Sequence, residues 1–75
     1  VSDLEELVRK GNKLFEEGNL DEALVYFDKV LKIKQDNPDF WNKKGVILRS
    51  LGRYQEAVEC FEKSLKLDPR DKDAS

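Results

Sequence analysis

Residues 10–32, KGNKLFEEGNLDEALVYFDKVLK, come back 34 positions later as residues 44–66, KGVILRSLGRYQEAVECFEKSLK. Laid over each other at that shift, residues 4–37 and 38–71 share Lys10/Lys44, Gly11/Gly45, Leu14/Leu48, Gly18/Gly52, Glu22/Glu56, Ala23/Ala57, Phe27/Phe61, Lys29/Lys63, Leu31/Leu65 and Lys32/Lys66. Arg9/Lys43, Leu20/Tyr54, Leu24/Val58, Asp28/Glu62 and Ile33/Leu67 keep the same character. A fixed period of this length is the mark of stacked supersecondary units, none of which can bury its apolar face alone. The functions open to such a stack are mostly binding functions.

Within each copy the apolar spacing is helical. Leu4, Leu7, Val8, Gly11, Leu14 and Phe15 follow the i, i+3, i+4, i+7 rule of an amphipathic helix. Ser2 with Glu5 three residues on predicts its cap, and Gly18 its stop. Asn19 is expected to cap a second helix with Glu22 at its third position, burying Leu20, Ala23, Leu24, Phe27, Val30 and Leu31. Asn37 and Pro38 open a third, since proline at the first helical position loses no hydrogen bond. Phe40, Trp41, Ile47, Leu48 and Leu51 face inward from it, and Gly52 ends it. The fourth runs from about Tyr54 to Leu67, with Ala57, Val58, Phe61 and Leu65 on its stripe and Asp68-Pro69 as its stop. Loops of two to four residues force antiparallel neighbours, and no stretch alternates for long enough to be a strand. The expected fold is all-α, four helices in two antiparallel helix-turn-helix repeats. A plain four-helix bundle could use the same stripes, but a bundle needs no internal translation.

The repeated residues resemble the tetratricopeptide repeat, a helix-turn-helix unit of 34 residues. Trp41, Gly45, Leu48, Gly52, Tyr54, Ala57, Phe61 and Pro69 carry the likeness in the second copy; Leu7, Gly11, Leu14, Gly18, Leu20, Ala23 and Phe27 carry it in the first. Gln35 stands where proline is expected, and Lys10 and Lys44 replace the leucine before each signature glycine. The resemblance implies one domain over residues 1–75, with repeats at 4–37 and 38–71 and the first turn of a third at 72–75, hence a piece of a longer array. It assigns the glycines to close helix approach against Ala23 and Ala57, and Phe27 and Phe61 to the junction with the following unit.

Composition limits what such a frame can do. Of 75 residues, 40% are charged and 39% hydrophobic, yet the net charge is only −2 with both signs interleaved. That argues against the one-sided basic surface a nucleic acid needs, and no nucleic-acid partner is expected. No apolar run approaches the roughly 20 residues that span a bilayer, and the acidic start lacks the regions of a signal peptide. A lone cysteine, Cys60, cannot form an internal disulfide, and a cytoplasmic location is expected. Without histidine, with isolated glycines rather than a phosphate loop, and with carboxylates only where helix surfaces and N-termini place them, neither enzyme chemistry, a cofactor nor a metal site is expected. Cys60 reads as a small apolar residue and Trp41 as filler between helices.

By resemblance, the first helix of each repeat lines a concave groove that receives peptides. The groove positions are then Val8, Arg9, Asn12 and Phe15, flanked by Glu5 and Glu16, together with Asn42, Lys43, Val46 and Arg49, flanked by Asp39 and Ser50. The expected partner is a protein segment carrying an acid, with an apolar side chain near Phe15 and Val46. The family's carboxylate clamp, found in co-chaperones of the heat-shock chaperones, uses five side chains. Asn12 matches one, while Val8 and Lys43 occupy two others with the wrong chemistry. Binding of that type is not expected. The competing expectation is self-association through a fourth-helix face left open by Leu51, Val58, Phe61 and Leu65.

Overall fold

The computed structural model describes residues 3–67, and Ser2, Pro69 and the start of a third repeat at 72–75 lie outside them. Four helices follow one another: α1 Asp3–Glu16, α2 Leu20–Ile33, α3 Pro38–Ser50 and α4 Tyr54–Leu67. The architecture is all-α, with no strand among the described residues. Packing follows chain order, α1 on α2, α2 on α3 and α3 on α4.

The two repeat glycines that end α1 and α3 close their helices identically. Gly18 and Gly52 adopt φ of +86° and +83°, the left-handed region that glycine enters without penalty. The Gly18 N–H donates to the Phe15 carbonyl and the Asn19 N–H to Leu14; Gly52 donates to Arg49 and Arg53 to Leu48. These are paired Schellman closures at equivalent positions. They turn the chain back within three residues and so set each hairpin.

The helix starts differ from one another. Asn37 caps α3 as expected, its Oδ1 accepting from the Asp39 N–H at 2.9 Å with Pro38 in the first turn. Asn19 precedes α2 but makes no side-chain cap bond. Its N–H is already committed to Leu14, and its φ of −83° and ψ of 71° place it outside the extended geometry that capping requires.

Ala23, Phe27 and Val30 of α2 join Ile47 of α3 in the larger core cluster, with Leu4, Leu7, Val8, Leu14 and Phe15 of α1 packed against it. A smaller cluster of Leu48, Ala57 and Cys60 holds α3 to α4, with Leu24 and Trp41 against it. The side chain nearest Gly11 is that of Phe27. A Cβ on Gly11 would meet the Phe27 ring at 2.6 Å, and one on Gly45 would meet Phe61 at the same distance. Each glycine therefore opens a slot for the aromatic ring of its own repeat. Phe27 fills that slot and belongs with Ile47 of the next hairpin to the larger core cluster.

Candidate functional site: the α1–α3 groove

The first helices of the two hairpins, α1 and α3, carry all the expected groove residues. Leu4, Val8 and Phe40, with Glu5, Arg9 and Asn12 around them, line an open cavity of about 390 Å³. Val8, Asn12 and Phe40 are half buried, while Arg9 is exposed. The cavity is built by sequence spacing: residues 4, 5, 8, 9 and 12 share one face of α1, and Phe40 enters from the first turn of α3. The Oδ1 of Asn12 is buried and has no hydrogen-bond partner, a position that carries a desolvation cost until a donor reaches it.

Phe15 does not serve this cavity. It is half buried against the larger core cluster, and the Lys43 ammonium sits 5.2 Å from its ring centroid. Val46 is half buried, and Asn42 and Arg49 are exposed further along α3. The structure thus gathers Val8, Arg9 and Asn12 around one cavity and pairs Phe15 with Lys43. Leu4 and Phe40 are the lining residues that sequence reasoning treated only as core. A signal was available for Phe40, whose counterpart 34 residues earlier is the charged Glu6.

A second cavity, about 350 Å³, opens between α2, α3 and α4. Trp41 forms one wall, its indole N–H donating to the Gln35 carbonyl at 2.8 Å and its ring flanked by the Lys44 and Lys63 ammoniums. Lys44 also pairs with Asp28 at 2.7 Å, tying α3 to α2 at the rim. Cys60 is buried beneath, and burial pushes its thiol pKa up. A thiol held neutral in this way is a poor nucleophile. Among the described residues no group of three or more cysteine and carboxylate side chains could hold a metal ion.

The fourth-helix face is partly open. Val58 is 53% exposed and Leu65 37%. Phe61 is half buried against Gly45, and Leu51 is half buried against the larger core cluster. Tyr54 lies one turn before Val58 and adds its exposed ring to the same stripe.

The tetratricopeptide repeat family model matches residues 38–71, and a TPR-repeat model matches residues 11–48. The chain belongs to the tetratricopeptide repeat family. An uncharacterised protein of Methanocaldococcus jannaschii is 38% identical over 60 residues, which make up 80% of this chain and 70% of the relative. A TPR repeat-containing thioredoxin of Arabidopsis thaliana is 36% identical over 70 residues, 92% of this chain but only 10% of the relative. A TPR repeat-containing protein of M. jannaschii is 45% identical over 55 residues, 73% of this chain and 17% of the relative. Tetratricopeptide repeats form protein–protein interaction modules, generally as non-catalytic scaffolds. No described helix is long and apolar enough to cross a membrane.

Proposed function

We propose that the chain holds a peptide segment of a partner protein in the groove of α1 and α3, without catalysis. The observation that carries this reading is the Leu4–Val8–Phe40 cavity, with Arg9 and the unmet Asn12 carbonyl at its edge. Such a combination suits a peptide that inserts one apolar side chain and presents a carboxylate to Arg9. Lys43 and Arg49 extend the cationic track along α3, with Asn42 and Val46 beside them. A reducing compartment such as the cytoplasm keeps Cys60 a thiol.

The test is fluorescence anisotropy with short labelled peptides that vary one apolar and one acidic position. Arg9→Glu and Asn12→Ala should each weaken the best peptide at least fivefold while helix content stays unchanged. Binding indifferent to both substitutions would sink the groove reading. A heat-shock-chaperone tail should not bind; micromolar affinity for one, abolished by Asn12→Ala, would reverse that view.

A second reading has its own observation. Leu31 of α2 is 5% exposed, whereas Leu65, its equivalent on α4, is 37% exposed. The buried Phe27 corresponds to the half-buried Phe61, and the half-buried Leu24 to the exposed Val58. A face that is covered in one repeat and open in the next favours self-association of the chain.

A further inference from the structure

One crevice recurs in both hairpins of this molecule, and the two copies differ in whether they carry a ring. In the first hairpin a cavity of about 310 Å³ has Lys10, Leu14, Glu22 and Tyr26 in its lining. Moved forward by 34 positions these become Lys44, Leu48, Glu56 and Cys60, and all of them line the 350 Å³ cavity between α2, α3 and α4. The two cavities are equivalent. Where the first carries the phenol of Tyr26, the second carries only a thiol.

The surroundings of that missing ring are kept. The Lys29 ammonium stands 5.3 Å from the Tyr26 ring centroid. Its counterpart Lys63 lines the second cavity and lies 5.4 Å from the centroid of Trp41 instead. Trp41 replaces Leu7, so the second cavity also gains an aromatic wall. Leu24 and Leu48 add apolar lining. An apolar void of about 150 Å³ already admits benzene. The rim selects among rings, because Asp28 pairs with Lys44 at 2.7 Å and Glu56 with Arg53 at 2.6 Å. Charges that neutralise one another favour a neutral ligand over an ion. Glu59, in the place of Val25, brings a carboxylate to the lining as an acceptor for a hydroxyl.

We infer that this cavity binds a neutral phenol ring, held above Cys60 in the place that Tyr26 takes in the first hairpin. The ring packs against Trp41 and Lys63, and its O–H donates to Glu59. The site belongs to the junction of the two hairpins, since α2 supplies Leu24 and Asp28. It does not lie on a face that a further hairpin would take. Ile47 of α3 clusters with Ala23, Phe27 and Val30 of α2, whose counterparts on α4 are Ala57, Phe61 and Ser64. The α4 lining residues Glu56, Glu59 and Lys63 correspond instead to Glu22, Val25 and Lys29, which stay exposed beside the second hairpin. The cavity also shares no lining residue with the α1–α3 groove, so the inference stands apart from the peptide reading.

Fluorine NMR of 4-fluorophenol added to the full chain reads the site. The resonance should shift saturably, with a dissociation constant on the order of a millimolar for so small a ligand. Cys60→Tyr, which supplies the ring from the chain itself, should weaken binding roughly tenfold, because a filled site offers no volume. Cys60→Ala should retain binding. Trp41→Leu, the residue of the first hairpin, should weaken it roughly fivefold by removing the ring contact, and it carries the test if Cys60→Tyr does not fold. Arg9→Glu should change nothing. Competition separates the sources of the ring: displacement by p-cresol alone assigns a free phenol, and displacement by N-acetyltyrosine amide as well assigns a tyrosine side chain. A shift that never saturates, or equal binding by the wild type and Cys60→Tyr, would overturn the site.

Discussion

The ring of Phe27 lies where a side chain on Gly11 would have to be, its nearest atom 2.6 Å from the position of the missing Cβ. Gly45 and Phe61 repeat the relationship at the same distance. The two slots differ in what surrounds the ring. Phe27 is only 1% exposed, wedged with Ala23, Val30 and Ile47. Phe61 is half buried, with part of its surface open to solvent.

Gly11→Ala should therefore cost more than Gly45→Ala. Overpacking of a closed core site costs about 1–3 kcal/mol, while alanine returns up to about 1 kcal/mol of helix propensity. The expected net loss is about 1–2 kcal/mol at position 11 and close to zero at position 45. Urea denaturation of both variants measures the difference. Phe27→Leu on the Gly11→Ala background should recover part of the loss; equal losses at the two glycines would contradict the account.

A second pair of equivalent residues reads the open end directly. Leu31 is 5% exposed and Leu65 is 37% exposed. Leu31→Ala should cost about 2–4 kcal/mol, the range for truncating a buried leucine. Leu65→Ala should cost under about 1 kcal/mol at concentrations where the chain is monomeric. Thermal unfolding at low concentration checks the order, and a reversed order would mean that the α4 face is covered in solution.

The helix ends give a test free of packing. Nothing lies within 4 Å of a Cβ built on Gly18 or Gly52, and both glycines have φ above +80°. The penalty for alanine at either position is therefore conformational, about 1–2 kcal/mol. Gly52→Asn should cost less than Gly52→Ala, because asparagine tolerates the left-handed region. If both substitutions proved neutral in denaturation, the closures would not be what fixes the hairpins.

Much of this was legible in the sequence because the signals were local. Gly18, Gly52 and the Asn37-Pro38 start announce backbone geometry that depends on a few neighbouring residues. Asn19 misleads because its backbone is set by the α1 closure: at φ −83° and ψ 71° it lies outside the extended region, and its side chain makes no cap bond to α2. Helical spacing places Gly11 on an inward face but cannot say which side chain stands nearest, so the Phe27 ring had to come from the structure. The site divides in the same way. Val8, Arg9 and Asn12 share a face of one helix, so their grouping follows from the period. That Lys43 covers Phe15 depends on how two helices meet, and no single-helix pattern contains it.

Cys60 supplies the last prediction, a dependence of stability on pH. Its thiol is buried in the α3–α4 cluster, and desolvation holds its folded pKa above the ordinary thiol value; nearby Lys44 works in the opposite direction but less strongly. Below the ordinary thiol range both the folded and the unfolded chain keep the proton, and the contribution is fully present. As pH rises through that range the unfolded thiol ionises first, the unfolded state binds fewer protons, and stability falls until the folded thiol ionises too. The decline should begin at about pH 8.5, the ordinary thiol value. Cys60→Ala should remove this component of the slope while lowering stability at neutral pH through lost packing. Denaturant midpoints from pH 7 to pH 10, compared between the two proteins, provide the check. Parallel curves would show that the thiol ionises as freely in the folded chain as in the unfolded one.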